Sequence, residues 1–192
     1  MATIIKQIWK KGEIRRSCDI VMIFVTVATH FQGFERLIKE IDIIAKKIDE
    51  KVIAQIGNTK YIPKNMEYFT FTEDKKILDL YKTSRVIITH AGAGTLLTLF
   101  NYKKHIIVVP RLKRFNEVID DHQLELAEVL QNKKNVTVIY DIKELENALK
   151  KQDELDYVEI TQKKELVIFL KNILQEMAGF PYSRREKKRS RN

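Results

Sequence analysis

A chain of 192 residues suits one domain, or one and a half, and with 44% hydrophobic and 32% charged residues it has the material for a folded soluble core. The single cysteine, Cys18, excludes an internal disulfide and points to a reducing cytoplasm. The net charge of +9 sits mostly at the ends: +5 in the last nine residues, +3 in the first twenty and +1 between them, so the body lacks the basic stripe of a nucleic-acid-binding domain.

In chain order, residues 1–20 read as a basic N-terminal extension. No signal peptide is visible. The apolar run "DIVMIFVTVATHF" is bounded by Asp19 and His30, and a membrane span needs roughly 20 apolar residues, so it predicts a buried strand instead. Strands are predicted at 21–27, 52–56, 66–71, 86–89, 106–109 and 136–140 from short Val/Ile-rich runs. Helical patterns lie at 34–47, 75–82, 95–102, 121–131 and 142–150, while "GNTKYIPKN" joins the second and third strands as a loop. A last helix is predicted at 161–177, with Leu166, Phe169, Leu170 and Ile173 on one face. It either closes the core or reaches a partner. The basic tail, 180–192, is either solvated or placed against an anionic membrane surface or an acidic partner. Strands alternating with helices imply an α/β fold over 21–160, a Rossmann-like parallel sheet with helices on both faces.

Ligands of such sheets sit beyond the carboxyl ends of the strands. There the fourth strand runs into "HAGAGT", which holds two of the chain's six glycines, Gly92 and Gly94. Glycine permits close backbone approach and positive φ, and a helix start offers unpaired N–H groups, so the turn suits a phosphate; a tight turn without a ligand is the plain alternative. Thr95 would cap the helix or bond a phosphate oxygen. Leu97 stands where a dinucleotide fingerprint needs a small residue, and no Gly-Lys-Ser/Thr follows, so neither common phosphate motif applies. Two further loops aim at the same crevice. "VATHFQGFERL" carries Thr29, His30 and Gln32; "VVPRLKRFNEVIDDHQLEL" carries Asn116, Glu117, Asp121, His122 and Gln123. Singly these are capping or surface residues, and Asp120 or Asp121 could cap the next helix; together they suit the hydroxyls of a nucleotide sugar.

At "MIFVTVATHFQGFERLIKEID", "ITHAGAGT" and "VVPRLKRFNEVIDDHQLELA" the chain resembles the nucleotide-sugar-binding subunit of two-part bacterial exopolysaccharide glycosyltransferases. It is also similar to the small subunit of the eukaryotic dolichol-pathway N-acetylglucosaminyltransferase. Both correspond to the C-terminal, donor-binding half of a GT-B glycosyltransferase, of the glycosyltransferase family 28 C-terminal domain type. The "VVPR…F.E…HQ" string favours the exopolysaccharide branch. The resemblance implies inverting, metal-independent transfer from a UDP-sugar without a cofactor, and the chain contains no Asp-x-Asp triplet. It assigns the donor diphosphate to Thr29, Gly92, Ala93, Gly94 and Thr95. It assigns the sugar and ribose to Asn116, Glu117, His122 and Gln123, and the uracil to Phe71 and Thr72. Ala28 replaces the family's usual glycine, and Thr98 replaces the ribose-binding glutamate of many larger relatives.

A GT-B enzyme needs two facing domains, and this chain supplies one. The resemblance therefore implies a membrane-anchored acceptor-binding partner subunit, a lipid-linked acceptor and a peripheral position at the cytoplasmic face of the membrane. The catalytic base normally lies on the acceptor half; His30 is the local candidate, because an unperturbed histidine titrates near 6.5. A non-catalytic nucleotide-sugar-binding or regulatory protein on the same half-fold is the alternative.

Overall fold

Strands apolar on both sides must be covered on both sides, and this decides the architecture. The computed structural model describes residues 22–102, 104–131, 133 and 135–152. They form β1 (Met22–Thr26), α1 (Glu35–Ala45), β2 (Lys51–Gln55), β3 (Glu67–Phe69), α2 (Asp74–Thr83), β4 (Val86–Thr89), α3 (Ala93–Leu99), β5 (His105–Val108), α4 (His122–Leu130), β6 (Val136–Val138) and α5 (Leu145–Gln152). All six strands are parallel, in the order β3-β2-β1-β4-β5-β6. Along β1, Ile23 and Val25 join the buried cluster under α1 and α5, while Met22 and Phe24 join the one under α2, α3 and α4. β4 divides in the same way, with Val86 and Ile88 on one face and Ile87 on the other.

The predicted order of elements holds throughout the described residues, with ends shifted by one or two positions at most sites. One shift matters: α3 begins at Ala93, not Thr95. The 1–20 extension, the 161–177 helix and the 180–192 tail lie outside the described residues.

α1 buries Leu37, Ile38, Ile41 and Ile44, the spacing of one helical face. The remaining buried residue of α1, Asp42, is polar and 2% exposed. The carboxylate accepts hydrogen bonds from Tyr61 Oη (2.7 Å), Lys64 N (2.9 Å) and Asn65 N (2.7 Å), and so moors the β2–β3 loop to the helix. Burial alone would push its pKa up, but these bonds hold it below the ordinary 3.8. A depressed carboxylate contributes stability that is full above its unfolded pKa and is lost as pH falls through the folded one. Asp42→Ala should therefore cost about 2–3 kcal/mol in urea unfolding at pH 7, because it strands buried donors. The difference from wild type should shrink below pH 4, as the wild-type carboxyl protonates.

Candidate functional site

The strand order reverses between β1 and β4, and this opens a crevice at their carboxyl ends. Thr26 pairs with Thr89 in register, and Thr89 with Val108. The loops that follow β1, β4 and β5 therefore leave the sheet side by side at one edge, and they carry most of the residues singled out above.

The glycine turn differs from expectation in its reasons. Gly92 is the N-cap of α3 with φ −96°, and Gly94 lies inside the first helical turn. Neither has positive φ; among the described residues Ala28, Gly57, Asn116 and Asn135 do. Gly92 is required by its neighbour: a Cβ there would lie 2.1 Å from His90 Nε2. Gly94 is exposed, and a Cβ there would meet nothing within 4 Å. The first bond of the helical ladder runs from Leu96 N to Gly92 O (3.0 Å), so the amides of Ala93, Gly94 and Thr95 precede it. Thr95 does not cap the helix, whose N-cap position has no side-chain bond. Thr98 turns its hydroxyl back onto Gly94 O (3.1 Å).

The β1–α1 loop lies opposite. Thr29 is exposed and His30 half-buried. Ala28 is left-handed (φ 54°), a conformation that glycine adopts without steric cost. His30 Nδ1 accepts a hydrogen bond from Gln32 N (3.2 Å), and its ring stacks on exposed Phe31 at 4.7 Å between centroids. Burial, followed by the charge of Arg111, lowers its pKa. With Nδ1 accepting, the neutral ring carries its proton on Nε2 and presents a donor, not a base. The geometry therefore disfavours the general-base role proposed for it and suits contact with an anion. His90 is more deeply buried; desolvation, then the charges of Arg111 and His30, bring it down to about 3.

The β5–α4 loop separates its predicted residues. Glu117 is 3% exposed and fully engaged: Arg36 grips it with Nε at 3.0 Å and Nη2 at 2.9 Å, and Leu112 N donates to Oε2 at 3.0 Å. It braces the loop, with both carboxylate oxygens bonded within the protein. Asn116, left-handed and exposed, accepts Gln32 Nε2 with its carbonyl (3.0 Å). Gln123 Oε1 accepts Arg111 N (3.0 Å), so its amide hydrogens remain as donors. His122 is exposed at the start of α4 beside Asp120, whose Oδ1 accepts His122 N (3.3 Å). Asp121 stands at the N-cap position, but its carboxylate accepts Lys113 N (2.9 Å) instead of capping. On the other flank, exposed Phe71 and half-buried Thr72 follow β3. The Phe71 ring and the Ala28 carbonyl flank Gly57, at 3.9 and 2.9 Å from a Cβ built there. Phe71 and the β1 loop thus both border Gly57, in the loop after β2. Among the described residues no three His, Cys, Asp or Glu side chains group as a metal site would require.

Residues 22–177 match the glycosyltransferase family 28 C-terminal domain. The chain belongs to this family. Family 28 relatives include a UDP-N-acetylglucosamine transferase subunit ALG13 of Candida albicans, 30% identical over 46% of this chain and 29% of that protein. The ALG13 subunit of Yarrowia lipolytica is 29% identical over 58% of this chain and 54% of its own length. The matches thus span about half or less of these relatives. In fold, the chain is similar to the glycosyltransferase of kitacinnamycin (TM-score 0.54, 16% identity, 88% of this chain and 41% of that one). It is also similar to MurG of Acinetobacter baumannii (TM-score 0.52, 15% identity, 81% and 50%). The fold is that of the C-terminal half of a GT-B glycosyltransferase.

The crevice contains one residue not singled out from the sequence. Arg111, in "VVPRL", has 0% exposure, and its guanidinium reaches the carbonyls of Val27, Gln32, Gly33 and Glu117. The available signal was its setting: unlike Lys113 and Arg114, it directly follows a strand-ending proline and has apolar neighbours on both sides. Ala28 offers a direct check on the loop that Arg111 holds. Ala28→Gly relieves left-handed strain but adds unfolded-state freedom, so it should raise unfolding stability by roughly 0.5–1 kcal/mol. An unchanged or lower urea midpoint would contradict the left-handed loop.

Proposed function

We propose that this chain is the UDP-sugar-binding subunit of an inverting, metal-independent glycosyltransferase. In this reading it needs no cofactor and acts with a membrane-anchored partner subunit on a lipid-linked acceptor, at the cytoplasmic face of the membrane. The observation that carries the reading is the convergence, at the switch point of a family 28 sheet, of three loops with complementary chemistry. The open turn at Gly94 leaves room for a diphosphate. In this reading His30, whose Nε2 is the donor, and exposed Thr29 bind it from the β1 loop. In the same reading His122 and the amide donors of Gln123 take the sugar, and the exposed Phe71 ring offers a face for uracil. The name of the curated relatives makes UDP-N-acetylglucosamine the first donor to test. The engaged Nδ1 of His30 favours a base supplied by the partner over one on this chain. Among the described residues no helix is long and apolar enough to cross a membrane.

Calorimetric titration with UDP and UDP-sugars tests the reading, and sugar transfer should appear only with a co-expressed partner. Gly94→Val should abolish UDP binding while melting close to wild type, since the added side chain enters open space. Full UDP affinity in the folded variant would remove the diphosphate assignment. Gln123→Glu keeps an acceptor for Arg111 N and removes the amide donors. It should weaken UDP-sugar relative to UDP by roughly 1 kcal/mol, the worth of one buried hydrogen bond. Equal losses for both ligands would place Gln123 away from the sugar.

A further inference from the structure

Arg111 is the largest fully buried side chain of the described residues. Its Nη1 donates to Gln32 O (3.0 Å), Gly33 O (2.7 Å) and Glu117 O (3.1 Å), and its Nη2 to Val27 O (3.1 Å). Three of these acceptors belong to the connection between β1 and α1. The guanidinium also lies over the Phe34 ring, 4.6 Å from its centroid. Among the described residues no carboxylate touches it. Glu117 and Glu35 are the acids whose fields reach it. Glu117 is bound by Arg36 and Leu112 N, and Glu35 accepts Lys60 N at 2.9 Å. Nε–H is buried without a partner. Burial lowers the guanidinium to about 10, so it stays charged at neutral pH. Carbonyl dipoles satisfy most of its donors, but no opposite charge sits against it. Hydrogen bonds to carbonyls thus offset its desolvation while its charge is left unneutralised.

The field of this cation reaches both loops of the crevice. It acts on His30 after β1 and on His90 after β4. We propose that Arg111 is a positioning residue for the donor diphosphate: from beneath, it holds the β1–α1 loop in shape and supplies the positive potential that a diphosphate lying over that loop and the glycine turn would neutralise. The inference rests on the UDP-sugar reading and adds to it the source of the charge. The exposed face of the crevice shows no Lys or Arg among the residues assigned to the donor; the cation lies underneath, where it attracts an anion without being screened by water.

Three ligands separate charge from mere bracing: UDP, uridine and inorganic pyrophosphate, titrated into wild type, Arg111→Met and Arg111→Lys. Methionine keeps a long apolar stem and removes the charge; lysine keeps the charge and loses the fork. Arg111→Met should bind UDP and pyrophosphate at least tenfold more weakly, with uridine affinity within twofold of wild type. Arg111→Lys should keep the preference for UDP over uridine within threefold, even if it melts earlier. In NMR titration, His30, whose charged or titratable neighbours are Arg111 and His90, should titrate at higher pH in the methionine variant. Equal loss of UDP and uridine with His30 unmoved would reduce Arg111 to a structural brace and overturn the inference. If the methionine variant does not fold, a folded lysine variant that loses the UDP preference overturns it as well. A wild type that binds uridine, UDP and pyrophosphate all undetectably removes the functional reading, and this inference with it. A wild type that binds UDP while Arg111→Met keeps its preference removes this inference alone.

Discussion

The crevice depends on a guanidinium that never reaches its surface. Taking a cation out of water costs several kcal/mol, and Arg111 offsets that with four hydrogen bonds to backbone carbonyls, each stronger for carrying charge. Those carbonyls lie on two segments far apart in sequence, residues 27–33 and residue 117. A second layer repeats the design. Arg36, from α1, bridges Glu117 and the Pro110 carbonyl (2.8 Å), and so ties the helix after β1 to the loop after β5. Gln32 adds a third tie across the same gap through Asn116 O. The sheet brings the two loops close; these polar struts decide their shape.

The two glycines of the turn after β4 serve different ends. Gly92 has no side chain because the His90 ring occupies that space, and His90 in turn is buried, uncharged and packed beside Thr89, 3.4 Å from its hydroxyl. Gly94 has no side chain although nothing in the protein occupies its space. Packing explains the first. It does not explain the second, and this asymmetry makes Gly94 the more informative position to substitute.

The crevice has donors in quantity and few groups able to take up a proton. His30 has spent its Nδ1 on Gln32 N, His90 is sealed, and Glu117 is doubly clamped by Arg36. On the proposed reading, such a site binds and orients an anionic, hydroxyl-rich ligand, and deprotonation of the acceptor falls to another surface. This accords with a half-fold whose family relatives are themselves named as subunits.

The fold was legible in the sequence because its signals are local. Each strand is a short β-branched run, each helix a run of period near 3.6, and the alternation of the two dictates a parallel sheet with covered faces. The candidate loops were legible for the same reason: parallel connectivity places them at one edge whatever their side chains do. Side-chain roles were not local. Glu117 looked like a sugar ligand until Arg36, 81 positions away, was seen to hold both its oxygens. Gly92 looked like a conformational glycine, but the reason for it is a histidine ring; the left-handed backbone falls instead on Ala28, which no propensity would choose. Arg111 looked like one more cation in a basic stretch, and only the tertiary structure, by folding three carbonyls of a distant loop around it, made it the buried centre of the site. The sequence determined which elements form and which loops meet, because hydrophobic period is a property of neighbours. The tertiary structure decided which polar atoms are consumed by the fold and which are left for a ligand, because hydrogen bonds join residues that the chain keeps far apart.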